Sequence, residues 1–399
     1  MDRKLLRLGF AYFFISTEFW FPIWVIFLQF RGLTYEQVLI ADMVYMGGIA
    51  LMEFPLGSLG DRFGRRTTYI FGCLSMALAF LMMIVISNFY LLLLSWLLWA
   101  AGLSFISGTD SAYIYEMIRN RIGERAEVKL FGFFIAIKYS ALLTSHFLAG
   151  FLYALHENLP IAINCVFSII AACLIFTLPD TTKKEDKQPN FVHILKDTVS
   201  LLKNKQIQRI CIIISFLYAF QYTIAILIQP LMVALGVQVK FFGYLYVAFT
   251  GLGILGGLAA GWLDKHLGMS KIVFIGIFLC IGSMAITAFI PGTPSLVGIV
   301  LQRFAYSLAE TMLIVSLNRL ILDKNRSSIF SLVSLFSSSL LFLSRPIMGL
   351  TLARLDKTVT FSIWLALGIP LAMILLMMYR RFISDEEQSG SNDEGIEAE

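Results

Sequence analysis

Ten ionisable side chains interrupt long apolar stretches of this sequence, and their chemistry needs an explanation. They are Glu18, Asp42, Glu53, Asp110, Glu116, Lys138, His146, Arg303, Glu310 and Arg345. An ionisable group in a hydrocarbon environment costs about 2.5 to 3.5 kcal/mol, so each one needs a charged partner, water or a function. The acids and the histidine can carry protons, whereas the arginines and the lysine can bind anions or neutralise the acids.

Glu18 lies about halfway along the first apolar stretch, in the run Ser16–Trp24, which also contains Pro22. A proline loosens the helix backbone around it. The aromatic neighbours would shield the carboxylate from water, and we therefore expect Glu18 to take up and release a proton. The alternative is a static ion pair with Lys138 or Arg345.

Basic groups fall in the later apolar stretches. Lys138 and His146 are eight residues apart, which places them within about 80° of each other on one helical face. Histidine titrates near physiological pH and can relay a proton, and a hydrogen-bonded packing role is the alternative. Arg303 and Arg345 suit an anionic ligand, or else they neutralise Glu310.

Large aromatic residues accompany these charges near the expected middle of the apolar stretches. Trp20, Trp24, Tyr218 and Tyr222 are the ones we select as lining a cavity. Their apolar faces and polar edges suit amphipathic organic molecules. The alternative is that they face lipid or neighbouring helices.

The composition identifies the surroundings of these residues as a membrane. Of 399 residues, 58% are hydrophobic, and the mean hydropathy is +0.80, well above that of a soluble domain. The net charge of +5 is spread over short connections rather than one patch, which argues against nucleic-acid binding. The five cysteines form no Cys-x-x-Cys pair, so neither disulfides nor a zinc site is indicated. A phosphate loop for nucleotide is also absent from the sequence, and we expect no metal and no cofactor.

Twelve segments are long enough to cross a bilayer. Lysine and arginine are concentrated in alternate connections, which favours the cytoplasm for that side of the membrane and for both termini. The basic start has no small-residue cleavage site and predicts an uncleaved first helix in the cytoplasmic membrane. The segments are 8–29, 38–58, 68–87, 90–116, 130–154, 160–178, 207–234, 241–263, 271–290, 295–321, 329–353 and 359–378.

The connection between the second and third segments carries a specific motif. Residues 57–66 follow the pattern Gly-x-Leu-x-Asp-Arg-x-Gly-Arg-Arg. Its glycines permit close approach and a tight reversal of the chain. An ordinary basic loop would explain the arginines but not the aspartate or the glycine spacing. In residue type, spacing and position the motif resembles the signature loop of the major facilitator superfamily of secondary transporters.

The resemblance implies an all-α fold of twelve transmembrane helices in two pseudo-symmetric six-helix bundles. The bundles would comprise residues 1–178 and 207–378, with the substrate site between them near the bilayer midplane. Residues 179–206 would be a cytoplasmic linker, in which apolar residues at helical spacing predict an amphipathic helix on the membrane face. The polar, acidic residues 379–399 predict a disordered tail.

The resemblance also implies a conformational latch at the cytoplasmic ends of the helices. Its members would come from the signature loop and from acids after the fourth and sixth segments, namely Gly57, Asp61, Arg62, Gly64, Arg65, Arg66, Glu116 and Asp180. We expect Glu53 and Asp110 near this latch, and Asp110 would also suit the cavity. Loop-anchoring salt bridges, which are weak near a surface, are the alternative.

The predicted function is that of a secondary carrier that binds lipid bilayer, protons and one small molecule, and that acts as a monomer. It would export a small amphipathic organic compound by alternating access. The cavity and proton-coupling groups would be Glu18, Asp110, Lys138, His146, Arg303, Glu310 and Arg345. Proton-coupled uptake of a nutrient or organic anion is the alternative. An intramembrane enzyme or a non-transporting receptor is a remote one, because no nucleophile or metal-ligand spacing accompanies the acids.

Overall fold

The computed structural model describes residues 3–57, 63–107, 109–119, 124–180, 203–290, 292–321 and 326–396. Every regular element in these ranges is helical, which confirms the all-α prediction. A helix satisfies each backbone N–H and C=O within its own segment, as a bilayer demands. The helices are α1 Arg3–Ile15, α2 Trp24–Phe30, α3 Tyr35–Gly57, α4 Arg65–Val85, α5 Phe89–Ser107, α6 Asp110–Arg119, α7 Glu124–Leu155, α8 Leu159–Phe176, α9 Lys205–Ala234, α10 Phe242–Leu267, α11 Met269–Phe289, α12 Thr293–Leu320, α13 Arg326–Arg354 and α14 Lys357–Ile396.

Ten helical stretches within the described ranges are long and apolar enough to cross a membrane. They coincide with the third to twelfth predicted segments. The second predicted segment is helix α3, which has 23 residues. The first is divided between the short helices α1 and α2. The predicted count of twelve spans is therefore confirmed for ten, and a continuous first helix is not found.

The interruption of the first segment lies between Ile15 and Trp24. Pro22 lacks a backbone N–H and cannot continue a helical ladder. Polar side chains of other helices replace the missing partners: Asn164 accepts from the Trp20 N–H at 3.2 Å and donates to the Thr17 carbonyl at 2.7 Å. Ser145 accepts from the Glu18 N–H at 2.9 Å. Irregular backbone at membrane depth is thus tolerated here because protein groups surround it.

The fourth predicted segment is also interrupted. Helix α5 ends at Ser107, and α6 begins at Asp110. A carboxylate in the first turn of a helix is favoured by the helix dipole. The interruption therefore gives Asp110 a helix-start position rather than a place inside a continuous span.

The ends of the chain and the linker complete the fold. Helix α14 continues to Ile396, where a disordered tail was expected from residue 379. Its polar part contains glutamates, which have high helix propensity. The amphipathic helix expected over 190–203 lies almost wholly outside the described residues, and its prediction remains open.

The chain divides into two compact units. Unit 1 comprises Met1–Gln188, Gly236–Val247 and Leu341–Arg354. Within it α4 packs on both α5 and α8, α3 packs on α5, and α1 packs on α7 and α8. Helices α4 and α5 approach closely at Gly72 and Gly102, where a Cβ on either would lie about 3 Å from the other's carbonyl oxygen. The 3₁₀ turn Val239–Phe241 packs on α7.

Unit 2 comprises Pro189–Leu235, Ala248–Leu340 and Leu355–Glu399. Its most extensive contact is between α11 and α12, and α14 packs on both α9 and α11. Helix α9 also packs on α12. These contacts hold α12, which carries Arg303, Glu310 and Arg319, against α9 and α11.

Candidate functional site

One acid and one base meet in unit 1 at the interruption of the first segment. The Oε2 atom of Glu18 lies 3.7 Å from Nε2 of His146. The His146 side chain is 4% exposed, whereas that of Glu18 is 42% exposed. The pair therefore joins an enclosed base to an open acid. A separation of 3.7 Å exceeds a direct hydrogen bond, and a small movement of Glu18 would let the two groups share a proton.

Aromatic rings fix the position of His146. Its ring stacks on Phe21, with centroids 5.8 Å apart and planes at 27°, and meets the edge of Tyr246 at 6.0 Å. Gly243 approaches the carbonyl oxygen of His146 so closely that a Cβ would collide with it. His146 therefore has the packing role considered from the sequence, and it also lies opposite Glu18. Of the two partners, Glu18 is the one with room to move.

The sequence suggested Lys138 or Arg345 as the static partner of Glu18, and this alternative is wrong. The group that faces Glu18 is His146. Lys138 is exposed on α7, whereas His146 is buried. An offset of about 80° is enough to turn one side chain into the unit and the other away from it.

Arg345 is paired with Asp42 in the interior of unit 1. The Nε atom of Arg345 donates to Oδ2 of Asp42 at 2.5 Å, and the two side chains are 0% and 1% exposed. The sulfur of Met348 lies 3.9 Å from Nη1 of Arg345. Arg345 is therefore not an open anion site, as one reading of the sequence proposed. The physical reason is desolvation, because a fully buried guanidinium needs a carboxylate partner.

Arg303 in unit 2 has a different environment. Its guanidinium carbon lies 5.5 Å from the centre of the Phe249 ring and 5.2 Å from that of Tyr306. Its Nε is buried and has no hydrogen-bond partner among the described residues. Gly253 leaves the space that Nε occupies, because a Cβ there would lie 2.7 Å from it. The aromatic faces stabilise the cation without using its hydrogen-bond donors.

Glu310 is held by a tyrosine rather than by the arginine. The Tyr306 hydroxyl donates to Oε1 of Glu310 at 2.6 Å. Arg303, Tyr306 and Glu310 follow one another at helical spacing along one side of α12, so Tyr306 contacts both charged groups. The direct ion pair between Arg303 and Glu310 that we considered from the sequence is replaced by this arrangement.

The four predicted cavity aromatics divide into two groups. Trp20 and Trp24 are buried in the core of unit 1, where Trp20 packs edge-on against Trp99 at 4.2 Å and Trp24 packs against Trp96. Both tryptophans therefore pack against a neighbouring helix, which was one alternative considered from the sequence. Tyr218 and Tyr222 stack on each other at 6.3 Å and 23° on α9, and Tyr218 is 41% exposed. Only this second pair presents aromatic surface.

Most of the predicted latch residues come together in unit 1. Nη1 of Arg65 lies 2.8 Å from Oε1 of Glu116, and Nη1 of Arg66 donates to the Leu178 carbonyl at 3.0 Å. Gly64 has φ +98° and lies directly against the Asp180 carboxylate, a position where a side chain would not fit. Gly57 ends α3. The remaining two members, Asp61 and Arg62, lie outside the described residues.

Two other acids selected from the sequence are Asp110 and Glu53. Asp110 begins α6 and Glu53 lies near the end of α3, and both are half-buried and engaged in interactions. Their expected places near the latch or the cavity stay predictions.

Sequence reasoning missed four residues that organise these sites. Asn164 supports the interrupted segment, and Tyr306, Phe249 and Gly253 surround Arg303. A polar Asn in an otherwise apolar span was a usable signal, as was a tyrosine one turn from both Arg303 and Glu310. Phe249 and Gly253 gave none, because α10 is separated from α12 in sequence.

An apolar recess in unit 2 is separate from the charged residues. It has a volume of about 540 Å³ and lies where the ends of α9, α11 and α12 meet the start of α14. Its lining includes Leu231, Phe289 and Phe361 but none of the ionisable residues considered above. We therefore do not assign the proton or anion chemistry to it.

Comparison with known proteins agrees with this architecture. The family model described as Major Facilitator Superfamily matches residues 8–297 and 210–397. The curated protein "Uncharacterized MFS-type transporter YxaM" of Bacillus subtilis (strain 168) is 22% identical over 244 residues, which are 59% of this chain and 60% of that protein. The chain thus spans, in this match, about 60% of the relative's length.

Two solved structures illustrate the similarity of fold. A mutant form of the nucleoside transporter NupG superposes with a TM-score of 0.81 at 14% identity, covering 95% of this chain and all of that one (100%). The D-xylose-proton symporter superposes with a TM-score of 0.69 at 13% identity, covering 93% of this chain and 95% of the other. At these identities the similarity concerns the fold.

Proposed function

Because the chain belongs to the Major Facilitator Superfamily and is a membrane transporter, we propose that protons drive its transport of a small amphipathic organic compound. The direction we propose is export by alternating access. The carrier would act as a monomer in the cytoplasmic membrane. Members of this family are in general not enzymes, so the compound should cross unchanged.

The observation that carries the proposal is the Glu18–His146 pair. A proton carrier needs a group that gains and loses a proton while the protein changes state. Glu18 is open enough to exchange a proton, and His146 is fixed beside it as a second acceptor. The interrupted backbone around Glu18 supports movement there, because its hydrogen bonds run to side chains of other helices rather than along a continuous ladder.

The latch residues support the alternating-access part of the proposal. Arg65 and Glu116 form an ion pair that is only partly buried, and Asp180 packs on Gly64. Such contacts are weak enough to break during a transport cycle. We propose that they hold one state of the carrier and must separate in the other.

The first experiment is a substrate panel in proteoliposomes under an imposed pH gradient. The account expects at least one amphipathic organic compound to move against its concentration gradient when protons flow the opposite way. Movement that is equal with and without the gradient would contradict proton coupling. A product that differs chemically from the compound supplied would favour the enzyme reading instead.

Proton-coupled uptake is the second candidate. It is favoured by Arg303, whose half-buried cation suits an organic anion entering with a proton. The same vesicles discriminate between the two directions, because uptake requires the compound and the protons to move together. For a given pH gradient, uptake with protons should therefore accumulate the compound on the side of the membrane opposite to that expected for export.

The orientation in the membrane is part of the proposal. The distribution of Lys and Arg supports both termini in the cytoplasm. Single cysteines at Asn158 and at Gln188, the latter outside the described residues, should be labelled from opposite sides by an impermeant reagent. Labelling of both from one side would contradict this topology.

A further inference from the structure

Arg303 offers hydrogen-bond donors that nothing described in the protein uses. The guanidinium lies between Phe249 and Tyr306, and its buried Nε has no acceptor among the described residues. A buried donor without an acceptor is destabilising. A ligand that supplies an acceptor would offset this cost.

Gly253 makes room for the guanidinium of Arg303. A Cβ at Gly253 would lie 2.7 Å from Nε and 3.4 Å from the guanidinium carbon. The absence of a side chain at this point of α10 lets the guanidinium lie against the helix. Position and orientation of the cation are therefore set by three neighbours, namely two rings and one glycine.

The charge balance of the cluster limits the ligand to a weakly charged anion. Glu310 lies one turn beyond Tyr306 and accepts from its hydroxyl. When Glu310 is ionised, Arg303 and Glu310 together are neutral. A monoanion adds one negative charge to this cluster, whereas a dianion adds two in a region of low dielectric. A carboxylate, which is planar and matches the guanidinium fork, therefore fits better than a phosphate dianion.

Aromatic surface for the rest of the ligand is available on the neighbouring helix. Helix α9, which carries Tyr218 and Tyr222, packs on α12. The stacked pair Tyr218 and Tyr222 leaves Tyr218 41% exposed. Planar rings stack on such a surface with about 0.5 to 1.5 kcal/mol beyond simple burial.

We propose that unit 2 binds a monoanionic aromatic carboxylate, with the carboxylate on Arg303 and the ring against Tyr218 and Tyr222. This inference rests on the proposed function, because it names the substrate class of the same carrier. It assigns Arg303 as the group that recognises the charge. Tyr306 and Gly253 act through Arg303 and are positioning residues.

Equilibrium dialysis of the purified full-length chain in detergent tests the proposal without any gradient. The probes are 2-naphthoate, its neutral amide and 2-naphthyl phosphate, which share one ring system and differ in head group. We expect 2-naphthoate to bind at least tenfold more tightly than either of the others, since a charge-assisted bond contributes about 1.5 to 3 kcal/mol. Absence of 2-naphthoate binding, or tighter binding of the phosphate, would overturn the assignment.

Variants locate the effect at Arg303. Arg303→Gln should lower the affinity for 2-naphthoate to that for the amide and leave the affinity for the amide unchanged. Gly253→Ala keeps the charge but displaces Nε, and should give an intermediate affinity. The matched control is Arg319→Gln, which removes an exposed arginine at the other end of the same helix and should bind as wild type does.

The outcomes separate this inference from the proposed function. Equal affinity of wild type and Arg303→Gln for 2-naphthoate would sink the assignment, even if vesicles show proton-driven transport of another compound. Selective binding lost in Arg303→Gln would support it, even if no flux follows the pH gradient. A melting temperature measured for each variant shows whether the variant is folded, and Gly253→Ala provides the test if Arg303→Gln is not.

Discussion

Two acid–base pairs of unit 1 differ sharply, namely Asp42 with Arg345 and Glu18 with His146. The first pair is at 2.5 Å and at most 1% exposed, whereas the second is at 3.7 Å with its acid 42% exposed. The first has lost its contact with water and keeps its charges only because they are joined. The second keeps one partner open and its base fixed by rings. Burial and distance, rather than residue type, thus separate the structural pair from the pair to which we assign proton exchange.

The largest effect is expected from breaking the buried pair. Asp42→Asn leaves the Arg345 charge uncompensated in the interior, and should lower the free energy of unfolding by about 3 to 5 kcal/mol. Unfolding in mixed micelles measures this change. The double variant Asp42→Leu with Arg345→Met should recover most of the loss, because apolar groups of similar size need no partner. A single variant as stable as wild type would show that the pair is not a structural one.

A smaller effect is expected where the interrupted segment is supported. Asn164→Leu removes the partners of the Trp20 N–H and the Thr17 carbonyl, each costing about 1 to 3 kcal/mol when left unsatisfied. The pH at which transport is half-maximal should also shift, because Glu18 loses its position opposite His146. Ser168→Ala, which removes one bond within the same helix, is the control and should keep the wild-type pH profile. An unchanged profile in Asn164→Leu would mean that Asn164 serves stability alone.

The sequence predicted local features, such as the helices, better than contacts between residues that are far apart in the chain. Hydropathy predicted the helices, because a segment that crosses a bilayer must satisfy its own backbone hydrogen bonds. Pro22 indicated a weak point near Glu18, but the full interruption depends on Asn164 and Ser145, which lie far away in sequence. The pairing of residues 42 and 345 spans 303 positions and has no local signature, so the sequence suggested an anionic ligand, Glu310 or Glu18 as the partner of Arg345 instead.

In the signature loop, too, the sequence indicates some contacts and gives no signal for others. Arg65 pairs with Glu116 of α6 and Gly64 lies against Asp180 after α8, whereas Arg66 donates to a backbone carbonyl; the latch role of these residues stays a prediction. The motif did not identify Leu178 and Pro179 as acceptors, since backbone carbonyls carry no residue-specific signal. Tyr113 donates to the Pro179 carbonyl at 2.7 Å, and the motif gives no signal for this residue either.

The smallest effect on stability is expected at the latch. Arg65→Gln removes a pair whose side chains are 20% and 27% exposed, and pairs of this kind contribute about 0.2 to 1 kcal/mol. We expect the free energy of unfolding to change little while the rate of transport falls, because in our proposal the contact stabilises one state of the cycle. Transport rates in vesicles and unfolding in micelles are compared with Arg380→Gln, an exposed arginine of α14. A wild-type transport rate in Arg65→Gln would show that the contact only anchors the loop.

The most direct test of the central claim is proton movement in vesicles that contain Glu18→Gln. The matched control is Glu157→Gln, which alters a His–Glu pair of similar separation, 3.8 Å, on an exposed connection. With a transported compound from the panel, an internal pH dye should report compound-dependent proton movement for wild type and for Glu157→Gln. The account predicts that Glu18→Gln loses this signal and gradient-driven accumulation while it still exchanges compound across the membrane. Proton movement and accumulation at wild-type levels in Glu18→Gln would contradict it.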